Sequence, residues 1–127
     1  MFHFSFSHVA ISVKDVDESV SFYQKVLQLQ EIPNTASNSK TRWMSFEDGR
    51  QLHLIPLPLA EIKLNKAVHF ALATTDMDAF IKQLIHFRIE FCDWLDKPNK
   101  IYIRKDGIKQ VYFQDPNGYW IEVNNDV

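Results

Sequence analysis

Four residues of this chain have the chemistry of metal ligands and sit at related places. His8-Val-Ala10 leads into Asp15-Val-Asp17, and His69-Phe-Ala71 leads into Asp76-Met-Asp78. In both stretches Ala follows His by 2 and the two Asp follow by 7 and 9; the copies lie 69 − 8 = 61 positions apart in 127 residues. This is a tandem duplication in which each copy opens with a histidine. Side chains alternate across a β-strand, so parity sorts the remaining candidates. In each early strand the larger apolar residues (Val9, Ile11, Val13; Val68, Phe70, Leu72) share one face. His8 and His69 share the other with small residues. By the same rule His53 opposes Leu52 and Leu54, and Glu122 opposes Ile121 and Val123. Three imidazoles and one carboxylate, all on faces turned from the apolar sets, form a plausible set of ligands for one divalent ion, with zinc, nickel, iron and manganese all compatible.

The elements that would position these residues follow from pattern. Ser7 to Val13 reads as a strand and Asp15 to Leu29 as a helix, with Val16, Val20, Tyr23, Val26 and Leu27 on one side. Strands are expected near Gln30 to Pro33, over Arg42 to Phe46 and over Gln51 to Ile55, the last two joined through Asp48-Gly49. A two-residue turn there places Met44 opposite His53 and Arg42 opposite Ile55. On that count Arg42 and Met44 join the His53 face, where Arg42 would hold a substrate carboxylate or phosphate. The proline-bearing stretch 57–66 reads as a connection. The second half repeats the order, with a strand over Ala67 to Ala73, a helix over Thr75 to Phe87, strands over Phe91 to Trp94, Lys100 to Arg104 and Gln110 to Gln114, an Asp115-Pro-Asn-Gly118 turn, and a last strand over Tyr119 to Asn124. The fold class is therefore α+β, built of two tandem βαβββ modules (about 4–56 and 67–125) whose cupped mixed sheets enclose a central crevice within one domain of 1–127. Trp43, Trp94 and Trp120 are candidates to line that crevice, with Trp120 on the Glu122 side of its strand.

Composition narrows the function classes. Net charge is −2 and the basic residues are scattered, so no nucleic-acid footprint is present. Three glycines leave no phosphate-cradling loop. No apolar run would span a bilayer and no secretory pattern opens the chain, while the single Cys92 excludes an internal disulfide. A cytoplasmic setting without membrane or nucleic-acid partners is expected. Cys92 reads as a small buried hydrophobe, and His86 as a helix-end residue favoured by the dipole.

The segments His8-Val-Ala-Ile-Ser-Val-Lys-Asp-Val-Asp-Glu-Ser-Val-Ser-Phe22-Tyr23-Gln-Lys-Val-Leu27, Val68-His69-Phe-Ala and Asp115-Pro-Asn-Gly-Tyr-Trp-Ile-Glu122 resemble the vicinal oxygen chelate superfamily. That superfamily includes glyoxalase I, extradiol dioxygenases, methylmalonyl-CoA epimerase, and fosfomycin and bleomycin resistance proteins. The resemblance implies a metal centre whose common His-His-Glu triad falls on His8, His69 and Glu122, with His53 at the fourth position. It implies a homodimer acting on a small molecule with vicinal oxygens, at a centre whose charge favours an anionic one. Ser12 and Leu57 stand where glyoxalase I carries an Arg and an Asn, so glutathione is not expected in the substrate. The expected reaction is a lyase- or isomerase-type proton transfer with Glu122 as general base. The alternatives are an iron-dependent extradiol-type dioxygenase and a non-catalytic module that sequesters a ligand.

Overall fold

A computed structural model describes residues 1–127, which divide into two compact units, 1–62 and 63–127. The boundary falls inside the stretch read as the connection.

The first unit runs β1 (His8–Val13), α1 (Val16–Val26), β2 (Gln30–Ile32), β3 (Arg42–Ser45) and β4 (Gln51–Pro56). Its sheet has the order β1-β4-β3-β2, with β1 parallel to β4 and the other pairs antiparallel. Asp15 caps α1, its Oδ1 accepting from the backbone N–H of Glu18 at 3.1 Å. Val20, Tyr23 and Val26 are buried at helical spacing, and α1 packs across β4, β3 and β2. Ile11, Val13, Met44, Leu52 and Leu54 form the sheet's side of this core.

The second unit runs β5 (His69–Ala73), α2 (Met77–His86), β6 (Phe91–Cys92), β7 (Tyr102–Ile103), β8 (Lys109–Gln114) and β9 (Trp120–Asn124). Its sheet has the order β5-β9-β8-β6, with β7 pairing β8 off that path and β5 parallel to β9. Asp76 caps α2 as Asp15 caps α1, accepting from the N–H of Ala79 at 2.9 Å. Leu84 of α2 is fully buried, and Phe80 packs on Phe113 of β8 with ring centroids 5.6 Å apart. Architecture and element order are those expected, α+β with two mixed sheets of four and five strands.

Both helices end earlier than their apolar pattern suggests, at Val26 and His86. Gln28 and Arg88 just beyond them take φ of 56° each, a left-handed conformation that closes a helix C-terminus. Six strands (β1, β2, β3, β5, β6 and β9) are one or two residues shorter than expected, β4 and β8 are one longer, and β7 keeps only Tyr102–Ile103 of the five-residue run 100–104.

The hairpin register needs a larger correction. The N–H of Phe46 donates to the carbonyl of Arg50 at 2.8 Å and that of Gly49 to Phe46 at 3.0 Å, while Gly49 has φ +86°. The loop is therefore three residues closed by a left-handed glycine, not two. One extra residue moves the register, pairing Trp43 with His53, Met44 with Leu52 and Arg42 with Leu54. Arg42 and Met44 consequently occupy the face that α1 covers. Met44 is fully buried there. The Arg42 guanidinium is held by Glu31 through Nε at 2.7 Å and Nη2 at 2.8 Å, and by Asp17 of α1. Neither residue is on the histidine face.

Two predictions follow from these contacts. Asp15→Ala and Asp76→Ala should each lower stability by about 1 kcal/mol in thermal or urea unfolding, because each leaves a first-turn N–H unsatisfied. Equal effects are expected because the two caps are equivalent in the repeat. The second concerns acid. The bidentate Arg42 contact holds the Glu31 carboxyl below its ordinary value, against a smaller opposing effect of burial. A depressed carboxylate stabilises the fold above its unfolded-state value of 4.5 and loses that contribution as pH falls through its folded-state value. Glu31→Gln should cost about 0.5–1 kcal/mol at pH 7, a partly exposed pair being screened, and the difference from wild type should shrink below pH 4. Urea midpoints at the two pH values would check it.

Candidate metal centre

Each unit brings its own pair of candidate ligands together on the sheet face opposite its helix. In the second unit Ala71 pairs with Glu122 and His69 with Trp120 across β5 and β9. The His69 ring contacts the carbonyl oxygen of Lys66 through Nδ1 at 2.8 Å. A carbonyl only accepts, so Nδ1 carries the proton and Nε2 is directed elsewhere. Nε2 faces Glu122 Oε1 at 3.4 Å.

Glu122 is buried, with 6% of its surface exposed, and no Lys or Arg pairs with it. A buried carboxylate is tolerable only when hydrogen-bonded. Tyr112 Oη donates to Oε1 at 2.8 Å, while Gln110 Nε2 at 3.1 Å and Asn124 Nδ2 at 2.6 Å donate to Oε2. All three donors are neutral and lie on the same sheet face, because Gln110 pairs with Asn124 and Tyr112 with Glu122. Burial is the largest cause raising the Tyr112 phenol above its ordinary value, and the Glu122 contact adds to it, so Tyr112 is a donor at neutral pH.

Sequence reading did not find Gln110, Tyr112 and Asn124 as site residues. Their signal was alternation of polar groups in the two strands flanking the Asp-Pro-Asn-Gly turn. The turn itself depends on Gly118, whose φ is +91° and where an added Cβ would lie 2.5 Å from Leu64 Cδ1.

The His69–Glu122 pair fits a divalent ion. With Nδ1 protonated, a neutral His69 aims the lone pair of Nε2 at a carboxylate oxygen, a repulsive arrangement. A proton on Nε2 or a cation held by both atoms relieves it. The spacing suits the cation: metal–nitrogen and metal–oxygen bonds of about 2.0–2.2 Å give a tetrahedral edge of about 3.3–3.5 Å.

Lys66 borders this pair. Its Nζ donates to the carbonyls of Asp93 at 2.8 Å and Trp94 at 3.1 Å and to Asp96 at 2.5 Å. It also lies 5.5, 5.2 and 4.7 Å from the ring centroids of Trp94, Tyr112 and Trp120. The ammonium thus anchors the backbone whose carbonyl orients His69. Cys92 is half-buried beside it, 3.6 Å from Nζ. Burial pushes its thiol up, in keeping with a packing role rather than a reactive one.

In the first unit His8 and His53 also share a face. Their rings stack with centroids 4.0 Å apart, and Trp43 stacks on His53 at 4.4 Å. His53 Nε2 contacts Gln51 Oε1 at 2.8 Å, so Nε2 carries the proton and Nδ1 the lone pair. Burial, reinforced by neighbouring His8, holds the His53 imidazole below its ordinary value and therefore neutral at pH 7. His8 contacts Ser7 Oγ through Nδ1 at 3.0 Å and is exposed. Within neither unit does a third His, Cys, Asp or Glu side chain complete a metal-binding group.

Known proteins share both the sequence and the fold. The chain is 31% identical over 131 aligned residues to Glyoxylase I 4 of Arabidopsis thaliana, covering 95% of this chain and 70% of that protein. Among solved structures it superposes on the oxidase ChaP-H2 with a TM-score of 0.81 at 19% identity, covering 99% and 96% of the two chains. It superposes on the fosfomycin resistance protein FosX of Listeria monocytogenes with a TM-score of 0.78 at 18% identity, again covering 99% and 96%. At those identities the two structures establish a common fold. No helix is long and apolar enough to cross a membrane. The family model of the Glyoxalase/Bleomycin resistance protein/Dioxygenase superfamily matches residues 5–123, and the chain belongs to that superfamily.

Proposed function

We propose that this protein is a metal-dependent glyoxalase-type enzyme, a lyase or isomerase that moves a proton on a small substrate with vicinal oxygens. The observation that carries the reading is the 3.4 Å approach of His69 Nε2 to Glu122 Oε1, with the imidazole proton committed to the Lys66 carbonyl. His69 and Glu122 are the ligands that the second unit would supply in this reading, and His8 and His53 are the candidate ligands of the first. A divalent cation held there would act as a Lewis acid on two substrate oxygens.

The chain's own groups do the rest. Glu122 accepts the proton from the carbon beside those oxygens. Gln110 and Asn124 hold its second oxygen, and Tyr112 restrains the first, so the carboxylate keeps its plane while it does so. Trp120, on the same face as Glu122, forms an apolar wall for the substrate. Arg42 has no part in binding an anionic substrate in this proposal, because it is engaged on the opposite face.

A second reading is an iron-dependent extradiol-type dioxygenase, because an ion held by His69 and Glu122 would keep open positions, as oxygen activation requires. Ferrous loading under argon followed by oxygen uptake on catechols would select it. Proton exchange from a hydroxyketone into solvent without oxygen uptake would select the first.

Elemental analysis of the purified protein should find one divalent ion per centre, drawn from zinc, nickel, iron and manganese. His69→Ala and Glu122→Gln should both abolish stoichiometric metal, and full occupancy in either variant rejects the centre. Tyr112→Phe should weaken metal affinity about tenfold, as loss of an outer hydrogen bond to a ligand does.

Assembly gives a separate expectation. We propose a homodimer, which light scattering at micromolar concentration would report as twice the 14.9 kDa chain mass. A 14.9 kDa species under those conditions rejects it.

A further inference from the structure

One cation of the second unit is withdrawn from water without a buried counter-charge. Only 14% of the Lys66 side chain is exposed. Its ammonium lies 5.5, 5.2 and 4.7 Å from the ring centroids of Trp94, Tyr112 and Trp120. It donates to the backbone carbonyls of Asp93 at 2.8 Å and Trp94 at 3.1 Å, and Cys92 Sγ at 3.6 Å adds a weak acceptor. Rings, carbonyls and a thiol carry partial charge only. The carboxylate of Asp93 is turned away, accepting from the backbone N–H of Lys97 at 2.9 Å and standing 3.8 Å from Lys100 Nζ. The one carboxylate on Lys66 is that of Asp96, at 2.5 Å, and 74% of the Asp96 side chain is exposed.

An ammonium has three protons to donate. Two are committed to carbonyls that the loop backbone fixes, and the third is left for a carboxylate at the surface. An exposed ion pair of that kind contributes little, because water competes for its partners. Asp96 can therefore turn into water, and a carboxylate arriving from outside would meet the same proton.

The position belongs to the candidate site. Trp94 and Tyr112 also flank the His69 ring, with centroids 6.2 and 5.4 Å from it, and Tyr112 donates to Glu122. Trp120 pairs with His69 across β5 and β9. The ammonium and the His69–Glu122 pair thus share the same rings, all within residues 63–127. We infer that Lys66 is the anion-binding residue of this site, and that a small carboxylate ligand displaces Asp96 and takes a charge-assisted hydrogen bond from Nζ. Asp96 is then a built-in competitor that fills the position until a ligand arrives. Lys66 takes the task that the sequence pattern assigned to Arg42. The inference rests on the function proposed above only in making that carboxylate part of the substrate; its contacts involve no metal.

The test is an acetate titration of the isotope-labelled protein, with chloride holding ionic strength constant and the indole N–H signals of Trp94 and Trp120 followed by NMR. Acetate should shift both signals saturably, and uncharged acetamide should not. Asp96→Asn removes the competing charge with a side chain that tolerates the left-handed φ of 63° at this position. It should tighten acetate binding about two- to fivefold, the range that an exposed ion pair contributes. Lys66→Met should abolish the saturable response. Absence of saturation in both wild type and Asp96→Asn overturns the inference, as does equal affinity in the two. An acetamide response equal to that of acetate overturns it too. So does saturation that persists in Lys66→Met; if His69→Ala then removes it, acetate sits on the metal, and the metal centre stands while the Lys66 site fails. Full metal occupancy in His69→Ala with the Lys66-dependent response intact rejects the metal centre and leaves the anion site standing.

Discussion

The candidate site depends on the burial of one carboxylate. Glu122 is withdrawn from water in the middle of a sheet, and no Lys or Arg neutralises it. A group in that position must collect hydrogen bonds or a cation. It collects both kinds of neutral donor available on a strand face: a phenol from directly across β8, and two amides from Gln110 and Asn124, which pair with each other. These donors require that β8 and β9 be in register and that Tyr112, Gln110 and Asn124 all point away from α2. The Asp115-Pro-Asn-Gly118 turn sets that register, which is why a left-handed glycine 4 residues from the carboxylate matters to it. His69 completes the environment, with its own orientation set by the Lys66 carbonyl.

The two halves apply one scaffold to two different chemical tasks. Each opens with a strand whose apolar face meets a helix capped by an aspartate at the same repeat position. On the other face they diverge. The second unit surrounds its histidine with a carboxylate, a phenol and a caged ammonium. The first surrounds its histidine with flat rings. Stacking and hydrogen bonding therefore play complementary parts. The polar cluster holds a charge in place, while the ring stack holds a neutral imidazole between Trp43 and an exposed His8. The Arg42–Glu31–Asp17 cluster belongs to neither; it ties β3 and β2 to the first turn of α1 on the core side of the sheet.

Much of this was legible in the residues. The repeat located both helix caps and both histidines, and period-two alternation assigned the face of His8, His53, His69 and Glu122 correctly because parity along a strand survives small errors at its ends. Helix ends were less legible. Leu27, Leu29 and Phe87 continue the apolar pattern, yet the backbone turns left-handed at Gln28 and Arg88, and neither Gln nor Arg announces that conformation as glycine would.

What the sequence determined by itself, then, is the class of fold, the duplication and the face on which each candidate ligand lies, since these follow from spacing along the chain. Which residues stand next to those ligands was decided by tertiary structure. A loop of three residues in place of two exchanged Met44 for Trp43 beside His53 and moved Arg42 to the opposite face. The donors to Glu122 and the aromatic cage around Lys66 come from strands and loops separated by up to 54 positions, as Lys66 to Trp120 shows. The physical reason is the same in each case. Side-chain parity is a local property of one strand, whereas a neighbour across the sheet depends on register, and register is set by the backbone conformation of a few turn residues.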